Sequence, residues 1–202
     1  IKRDYYLKKI IDKRDNGRIK IITGIRRCGK SYLLFNLYQK YLLSKGVKEK
    51  QIISIALDEI DNLEYRNPFR LNEYIKEKTK NRNQIYYIFL DEIQLSVAVS
   101  NPYIDSQEKN ITFVDVLLGL MKNSNLDIYV TGSNSKMLSS DVLTQFRDRG
   151  DEIHVNPLSF AEVYDLYENK ELAFEHYIVY GGMPYIYSLK SDEEKNKYLK
   201  DL

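Results

Sequence analysis

The sequence predicts an α/β protein of three layers, in which a five-stranded, mainly parallel sheet lies between helices and a helical segment follows it. Three observations predict this fold. Five short apolar runs alternate with segments of helical periodicity, which is typical of βαβ units and hence of a parallel sheet. A glycine-containing loop at residues 24–31 stands between the first apolar run and a helical pattern. After residue 158 the pattern is helical only.

The strands are expected where β-branched and aromatic residues form short runs between turn residues. These runs are residues 19–22, 52–57, 85–90, 127–131 and 152–155. The third run is apolar throughout, which indicates a strand buried on both faces. Helices are expected where apolar residues recur at a period of 3.6, and those segments are residues 4–14, 33–42, 68–78, 112–122, 160–166 and 172–178.

Length and composition predict a globular protein of one main domain. The chain has 202 residues, of which 43% are hydrophobic and 30% are charged, and this is ordinary for a chain that buries a substantial core. We expect a core domain that carries the 24–31 loop over residues 1–157 and a helical extension over residues 158–202. The first residue is Ile1 and the last, Leu202, falls within a helical pattern, so we expect a fragment of a longer protein.

Charge and cysteine content exclude several classes of protein. A net charge of +2 creates no global field that demands a nucleic-acid or membrane partner. Cys28 is the single cysteine, which excludes an internal disulfide and fits a reducing compartment. No run approaches the roughly 18 apolar residues of a membrane span. With His154 and His176 far apart, no zinc site is expected, and the sequence predicts a cytoplasmic protein.

Residues 24–31 read GIRRCGKS, a complete G-x-x-x-x-G-K-S/T loop. In such a loop the backbone N–H groups surround the β-phosphate of a nucleoside triphosphate, and the glycines permit the required backbone conformations. Lys30 is expected to reach the β- and γ-phosphates as a catalytic group, and Ser31 is expected to bind Mg²⁺. The predicted nucleotide-binding residues in this segment are Gly24, Ile25, Arg26, Arg27, Cys28, Gly29, Lys30, Ser31 and Tyr32.

Such a loop needs a carboxylate on a neighbouring strand to hold the Mg²⁺ shell and a second group to activate water. The sequence LDEI occurs twice, at residues 57–60 and 90–93. We favour the second copy, because its preceding run is more uniformly apolar, as expected of a central strand beside the phosphate loop. Asp91 is then the metal ligand and Glu92 the general base. The alternative pair at 58–59 is interpreted as a solvated strand end, and the choice is tested by which aspartate lies beside Ser31.

The fourth strand ends in small polar residues, at the sheet edge where open α/β folds bind ligands. Here Ser133 and Asn134 are expected to contact the γ-phosphate or its water, and the same residues also fit a helix N-cap. Further on, Arg147 and Arg149 precede the fifth strand. Arg149 is a candidate to stabilise the transferred phosphoryl group, from the same chain or from a neighbour. The alternative is that these arginines pair with neighbouring aspartates in a surface network.

Taken together, these segments resemble a family of bacterial and archaeal AAA-type ATPases, in which the ATPase domain is usually followed by a C-terminal domain of unknown function. The shared blocks are GIRRCGKS at 24–31, LDEIQ at 90–94, TGSNS at 131–135, PLSF at 157–160 and YGGMP at 180–184. The resemblance implies an AAA-like P-loop NTPase fold, ATP and Mg²⁺ as ligands, Asp91 and Glu92 as the Walker B pair, and a sensor residue within 131–134. Arg149 occupies the position of the family's arginine, and Asp148 replaces the glycine that usually precedes it.

The resulting hypothesis is an ATPase whose hydrolysis drives or times a conformational change in an attached domain or partner. The alternatives are a slow ATP-dependent switch and an ATPase coupled to nucleic-acid processing, for which a basic stretch at residues 8–18 is the only local support. A small-molecule kinase is disfavoured, since it needs no water-activating Glu92. The expected partners are ATP and ADP, an unknown protein or nucleic-acid client and a second copy of the chain, with no membrane.

Overall fold

A computed structural model describes residues 1–104, 110–132, 145–146 and 148–202. The strands in this part of the chain are β1 (Ile19–Thr23), β2 (Ile52–Ala56), β3 (Tyr86–Asp91), β4 (Val99–Ser100), β5 (Asn110–Ile111), β6 (Leu126–Thr131) and β7 (Gly150–His154). The helices are α1 (Asp4–Asp12), α2 (residues 30–44), α3 (Pro68–Lys78), α4 (Phe113–Leu120), α5 (Phe160–Tyr164), α6 (Lys170–Tyr180) and α7 (Asp192–Lys200). Short 3₁₀ turns lie at Glu49–Gln51, Ile60–Arg66, Ile93–Leu95 and Pro184–Ser188.

The main sheet has five strands in the order β2-β3-β6-β1-β7, and every pair in it is parallel. The predicted α/β fold with a five-stranded sheet is therefore confirmed. One detail of the prediction was wrong, because β3 does not lie beside β1: β6 runs between them. The polar stretch after residue 96 also contains a feature that was not predicted, the short antiparallel pair of β4 and β5.

Helices cover both faces of the sheet, because the side chains of each strand alternate between two apolar clusters. In β1, Ile19 and Ile21 face the cluster that contains Leu71 of α3 and Leu117 of α4. Ile22 faces the other cluster, which is formed mainly with the apolar side chains of α1 and α2. The two clusters account for the three layers. Helix α2 is continuous through Lys30–Tyr32, a π-helical stretch Leu33–Tyr38, and Gln39–Ser44.

A buried ion pair interrupts the apolar pattern of β1. Lys20 is 0% exposed and forms a short ion pair with Asp127, which is 3% exposed. The Asp127 carboxylate also accepts hydrogen bonds from the Tyr129 hydroxyl at 2.6 Å and the Asp15 backbone N–H at 3.0 Å. The Tyr129 hydroxyl lies 2.5 Å from that of Tyr38, and burial raises the pKa of both phenols. The sheet therefore holds a polar network among its apolar side chains.

Two parts of the segment after β7 meet in a close main-chain contact. Leu158 donates its backbone N–H to the Gly182 carbonyl at 2.7 Å. A Cβ atom added at Gly182 would lie 2.1 Å from the Leu158 carbonyl oxygen, so only glycine permits this approach. The PLSF and YGGMP blocks are thus in direct contact. The division of the chain at residue 157 stays a prediction. Among the described residues, no helix has the length and apolar character needed to cross a membrane.

Replacing Gly182 by Ala is expected to lower the free energy of unfolding by about 1–3 kcal/mol, because the methyl group overpacks a contact made by main-chain atoms. The measurement is urea-induced unfolding followed by circular dichroism. Gly119 in α4 is the matched control, since an added Cβ there meets nothing within 4 Å. Gly119→Ala is expected to be neutral or stabilising, as alanine favours a helix. Equal losses in the two variants would contradict the interpretation of Gly182.

Candidate nucleotide-binding site

The loop between β1 and α2 depends on glycine at both ends. Gly24 has φ +144°, and a Cβ there would lie 2.2 Å from the Val155 carbonyl oxygen. Gly29 has φ +99° and immediately precedes α2, while Arg27 between them also has a positive φ, +63°. These conformations fold the loop back over the start of α2. Gly24 is required by close packing against the main chain of Val155, which the sequence motif did not reveal.

The Lys30 side chain lies inside the loop. Its ammonium group donates hydrogen bonds to the Gly24 carbonyl at 3.1 Å and the Ile25 carbonyl at 2.9 Å. Only 4% of Lys30 is exposed. The positive charge is therefore held against the carbonyl groups of the loop. The first backbone N–H groups of α2, which have no partner within the helix, also favour anions. This is the donor set that phosphate oxygens require.

Asp91, at the end of β3, lies beside Ser31. Burial raises the pKa of its carboxyl group, hydrogen bonds from the Thr131 and Ser31 hydroxyls oppose that change, and the charges of Glu92 and Asp58 add to it. The structure thus brings Asp91 to Ser31, as the choice of the second LDEI copy required. Asp58 follows the adjacent strand β2 and is exposed. A buried carboxylate next to a serine hydroxyl is a suitable pair of oxygen ligands for Mg²⁺.

Thr131 links the two members of the acidic pair. Its hydroxyl donates a short hydrogen bond to Asp91 Oδ1 and accepts one from the Glu92 backbone N–H at 3.2 Å. Glu92 has φ +52° and ψ +45°, a conformation that is rare for this residue type. It costs energy and persists only where the surrounding contacts fix it. The Gln94 amide also donates to the Glu92 carboxylate. Thr131, which was assigned to the sensor range, therefore holds the acidic pair through its hydroxyl.

Four of the candidate site residues lie either outside the described part of the chain or away from the loop. Ser133 and Asn134 lie outside the described residues, as does Arg147. Arg149 is exposed, and its carbonyl accepts the Ile19 N–H at 3.0 Å at the amino end of the sheet. Thr23, which leads into the loop, pairs with His154 of β7. His154 follows Arg149 by five residues, which corresponds to about 16 Å along the strand.

Arg149 is therefore not assembled with the phosphate loop of its own chain. A catalytic role for Arg149 stays a prediction, and this placement favours either a role toward a neighbouring chain or a place in a surface network over a role at the loop of its own chain. Asp148 has φ +63°, a conformation that glycine adopts more readily than aspartate. The aspartate at 151 is paired with Lys13 at 3.3 Å and Arg18 at 3.2 Å.

A cavity of about 320 Å³ adjoins the loop. It is lined by the first residues of the chain, by the loop, and by the two segments that meet at Gly182: Ile1, Arg3, Arg27, Gly29, Tyr32, Leu158, Pro184 and Tyr185. Its mixture of apolar, aromatic and cationic walls suits a flat heteroaromatic base. A larger cleft of about 1070 Å³ between α1 and α5 shares Ile1 and Tyr32 with this cavity. The motif identified the phosphate-binding part of the site and missed this neighbouring cavity.

Cys28, within the loop, is expected to be chemically inert. Its thiol is buried and lies 3.3 Å from the Val155 carbonyl oxygen. Burial raises the pKa of the thiol, although the charges of Lys30 and Arg3 oppose this. Because the thiolate is the reactive form, a raised pKa leaves less of it at any given pH. Alkylation by iodoacetamide at pH 8 is expected to be at least about tenfold slower than in the urea-unfolded chain; equal rates would contradict this.

Comparison with known proteins places these features in a family. A family model described as "AAA domain" matches residues 16–164. An uncharacterized protein of Haemophilus influenzae is 30% identical over 190 residues, which are 91% of this chain and 44% of that protein. An uncharacterized protein of Methanocaldococcus jannaschii is 30% identical over 218 residues, covering 100% of this chain and 42% of that protein. The chain thus spans less than half the length of these curated relatives.

Solved structures share the fold. A Walker-type ATPase of Pyrococcus abyssi superposes with a TM-score of 0.56 at 17% identity, over 99% of this chain and 68% of that chain. A chain of the Saccharomyces cerevisiae Hsp104:casein complex gives a TM-score of 0.54 at 16% identity, over 90% of this chain and 31% of that chain. Caenorhabditis elegans PCH-2 gives a TM-score of 0.52 at 16% identity, over 87% of this chain and 44% of that chain. At these identities the likeness shows the fold alone.

Proposed function

The chain belongs to the AAA domain family, and on that basis we propose that its site binds ATP with Mg²⁺ and hydrolyses the bond between the β- and γ-phosphates. The observation that carries this proposal is the contact of Asp91 with Ser31 and Thr131, with Glu92 held next to it. This arrangement joins the phosphate loop to the two carboxylates that hydrolysis requires.

In the proposed mechanism each group has a separate task. The loop N–H groups and the Lys30 ammonium bind the β- and γ-phosphates and offset the negative charge that develops during transfer. Ser31 and Asp91 hold Mg²⁺, which when bound neutralises phosphate charge. The Glu92 carboxylate accepts a proton from the attacking water. Thr131 holds the Asp91 carboxylate and the main chain of Glu92 in place, so that little rearrangement is needed during the reaction.

We further propose that hydrolysis times a movement of the segment after residue 157 and of whatever is attached to it. Leu158 and Pro184 from this segment line the cavity next to Gly29, so a base bound there would touch both parts of the chain. The curated relatives are more than twice as long as the chain, and a client protein or nucleic acid remains a proposal for the whole protein.

The basic stretch at residues 8–18 gives little support to a nucleic-acid client. Lys8 pairs with Asp12 at 2.6 Å and Arg14 with Asp15 at 2.9 Å, while Lys13 and Arg18 both pair with Asp151. Cations that are already paired with carboxylates have less to gain from phosphate contacts. The interpretation of this stretch as a solvated surface is therefore favoured.

The test of the proposed function is phosphate release from ATP by the purified chain with Mg²⁺, in the presence and absence of DNA or RNA. Multiple turnover supports the ATPase, and tight ATP binding without turnover supports the slow switch instead. We expect turnover that is unchanged by added nucleic acid. An increase that falls steeply with salt would favour the nucleic-acid-coupled alternative.

A further inference from the structure

Arg3 is a buried arginine that takes no part in the chemistry proposed above. It lies just before α1 and is 2% exposed. Its Nη1 donates to the Cys28 carbonyl at 2.9 Å, and its Nη2 donates to the Asn156 carbonyl at 2.7 Å. Its Nε lies 2.7 Å from Glu162 Oε1 in α5. One guanidinium group therefore joins the phosphate loop, the chain after β7 and the first helix of the C-terminal segment.

The Glu162 end of this connection is fixed to the start of α5. Glu162 Oε2 accepts hydrogen bonds from the Ser159 backbone N–H at 2.8 Å and the Ser159 hydroxyl at 2.9 Å, which forms a capping box. Glu162 thus binds Arg3 with one oxygen and the helix start with the other. The Tyr6 ring lies against the guanidinium at 4.7 Å, and the Tyr6 hydroxyl accepts the Asn156 N–H at 3.1 Å.

We propose that Arg3 is a positioning residue that transmits nucleotide binding at the phosphate loop to α5 and α6. Helix α6 packs on α5 through the Phe160 and Phe174 rings, whose centres are 5.6 Å apart. The inference rests on the proposed function, since it requires a nucleotide at the loop. The Cys28 carbonyl belongs to the loop that would close around the phosphates, so a change of the loop moves an acceptor of Arg3. Separating a buried charge from its partner is costly, and α5 is therefore expected to move with Arg3.

A second contact joins the loop to the C-terminal helices but is weaker. The Arg27 guanidinium lies 5.5 Å from the centre of the Tyr198 ring in α7, and Arg27 is exposed. Exposed contacts of this kind contribute little. Arg3 is buried and makes three polar contacts, so it is the stronger connection between the two parts.

The experiment is amide hydrogen exchange, read by mass spectrometry, with and without ADP and Mg²⁺. The variants are Arg3→Gln, which removes the cation, and Glu162→Gln, which removes its charged partner while glutamine can still form the capping box. Arg70→Gln is the matched control, since Arg70 is on the surface and pairs with the exposed Glu73 at 3.4 Å. Glu162→Gln also decides the question if Arg3→Gln fails to fold.

In the wild type we expect ADP to slow exchange by about tenfold in residues 24–32 and in α5 and α6. In both test variants the slowing at the loop should remain while that in α5 and α6 disappears, and Arg70→Gln should behave as the wild type. The inference is overturned if the slowing in α5 and α6 persists in Glu162→Gln. It is also overturned if ADP slows exchange at the loop of the wild type but not in α5 and α6. Absence of protection at the loop overturns the proposed function instead.

Discussion

Replacing Glu92 by Gln is expected to lower the rate of ATP hydrolysis by about 10²–10⁴-fold, the usual contribution of a general base. ATP binding should be nearly unchanged, because the loop, Lys30 and Asp91 remain. The substitution keeps the size of the side chain and leaves the Glu92 backbone N–H bonded to Thr131. The measurement compares kcat for phosphate release with the Kd for ATP, and the loss should fall on kcat alone.

The matched control is Glu59→Gln, which makes the same change in the other LDEI copy. Glu59 is exposed and follows β2. Glu92 is half-buried and directly follows the buried Asp91 at the end of β3. We expect hydrolysis by Glu59→Gln within about twofold of the wild type, as is typical of a surface substitution away from a site. A large loss in Glu59→Gln with none in Glu92→Gln would reverse the assignment of the acidic pair.

Replacing Lys20 by Met is expected to lower the free energy of unfolding by about 3–5 kcal/mol, which is a large fraction of the stability of most domains. The methionine fills much of the same space, so the cost comes from the Asp127 carboxylate, which keeps its burial and loses its cation. That carboxylate would retain the hydrogen bonds from Tyr129 and the Asp15 N–H. Urea-induced unfolding measures the change.

The matched control for this prediction is Lys8→Met, which breaks an ion pair of similar length on the surface. Lys8 is 74% exposed and its partner Asp12 57% exposed, and exposed pairs contribute only about 0–1 kcal/mol. The double change Lys20→Met with Asp127→Asn is expected to cost less than the sum of the single changes, because it removes both charges. Equal effects of Lys20→Met and Lys8→Met would show that the buried pair has no special role.

Sequence patterns that depend on local geometry predicted the fold well. Each strand of the main sheet was found from a short run in the sequence. The central strands β1, β3 and β6 are buried at every position, which explains their apolar runs, whereas the edge strands β2 and β7 are only partly buried. The order of the strands is set by packing between distant segments, so the placement of β6 between β1 and β3 was not predictable from the runs. Lys20 was included in an apolar run, because its burial depends on a partner that the local sequence does not indicate. That partner, Asp127, is more than a hundred residues away.

The candidate site was predictable where its residues follow one another in the chain. The loop at 24–31 is such a segment, and Asp91 was located because its strand is unusually apolar. Thr131 and Arg3 act through contacts with segments far along the chain, and no local pattern distinguishes them from other polar residues. Leu158 and Pro184 lie within blocks that the resemblance had marked, although only the structure shows that both line one cavity.

The most direct test of the proposed ATP site is calorimetric titration of ATP with Mg²⁺ into the wild type, Lys30→Ala and Lys40→Ala. Lys40 lies on the same helix as Lys30 but is exposed, so it controls for a general loss of positive charge. We predict that the wild type and Lys40→Ala bind one ATP with similar affinity, and that Lys30→Ala binds at least about tenfold more weakly, the effect of losing roughly 1.4 kcal/mol of charge-assisted hydrogen bonding. Wild-type affinity in Lys30→Ala, or no binding of ATP by the wild type, would contradict the site.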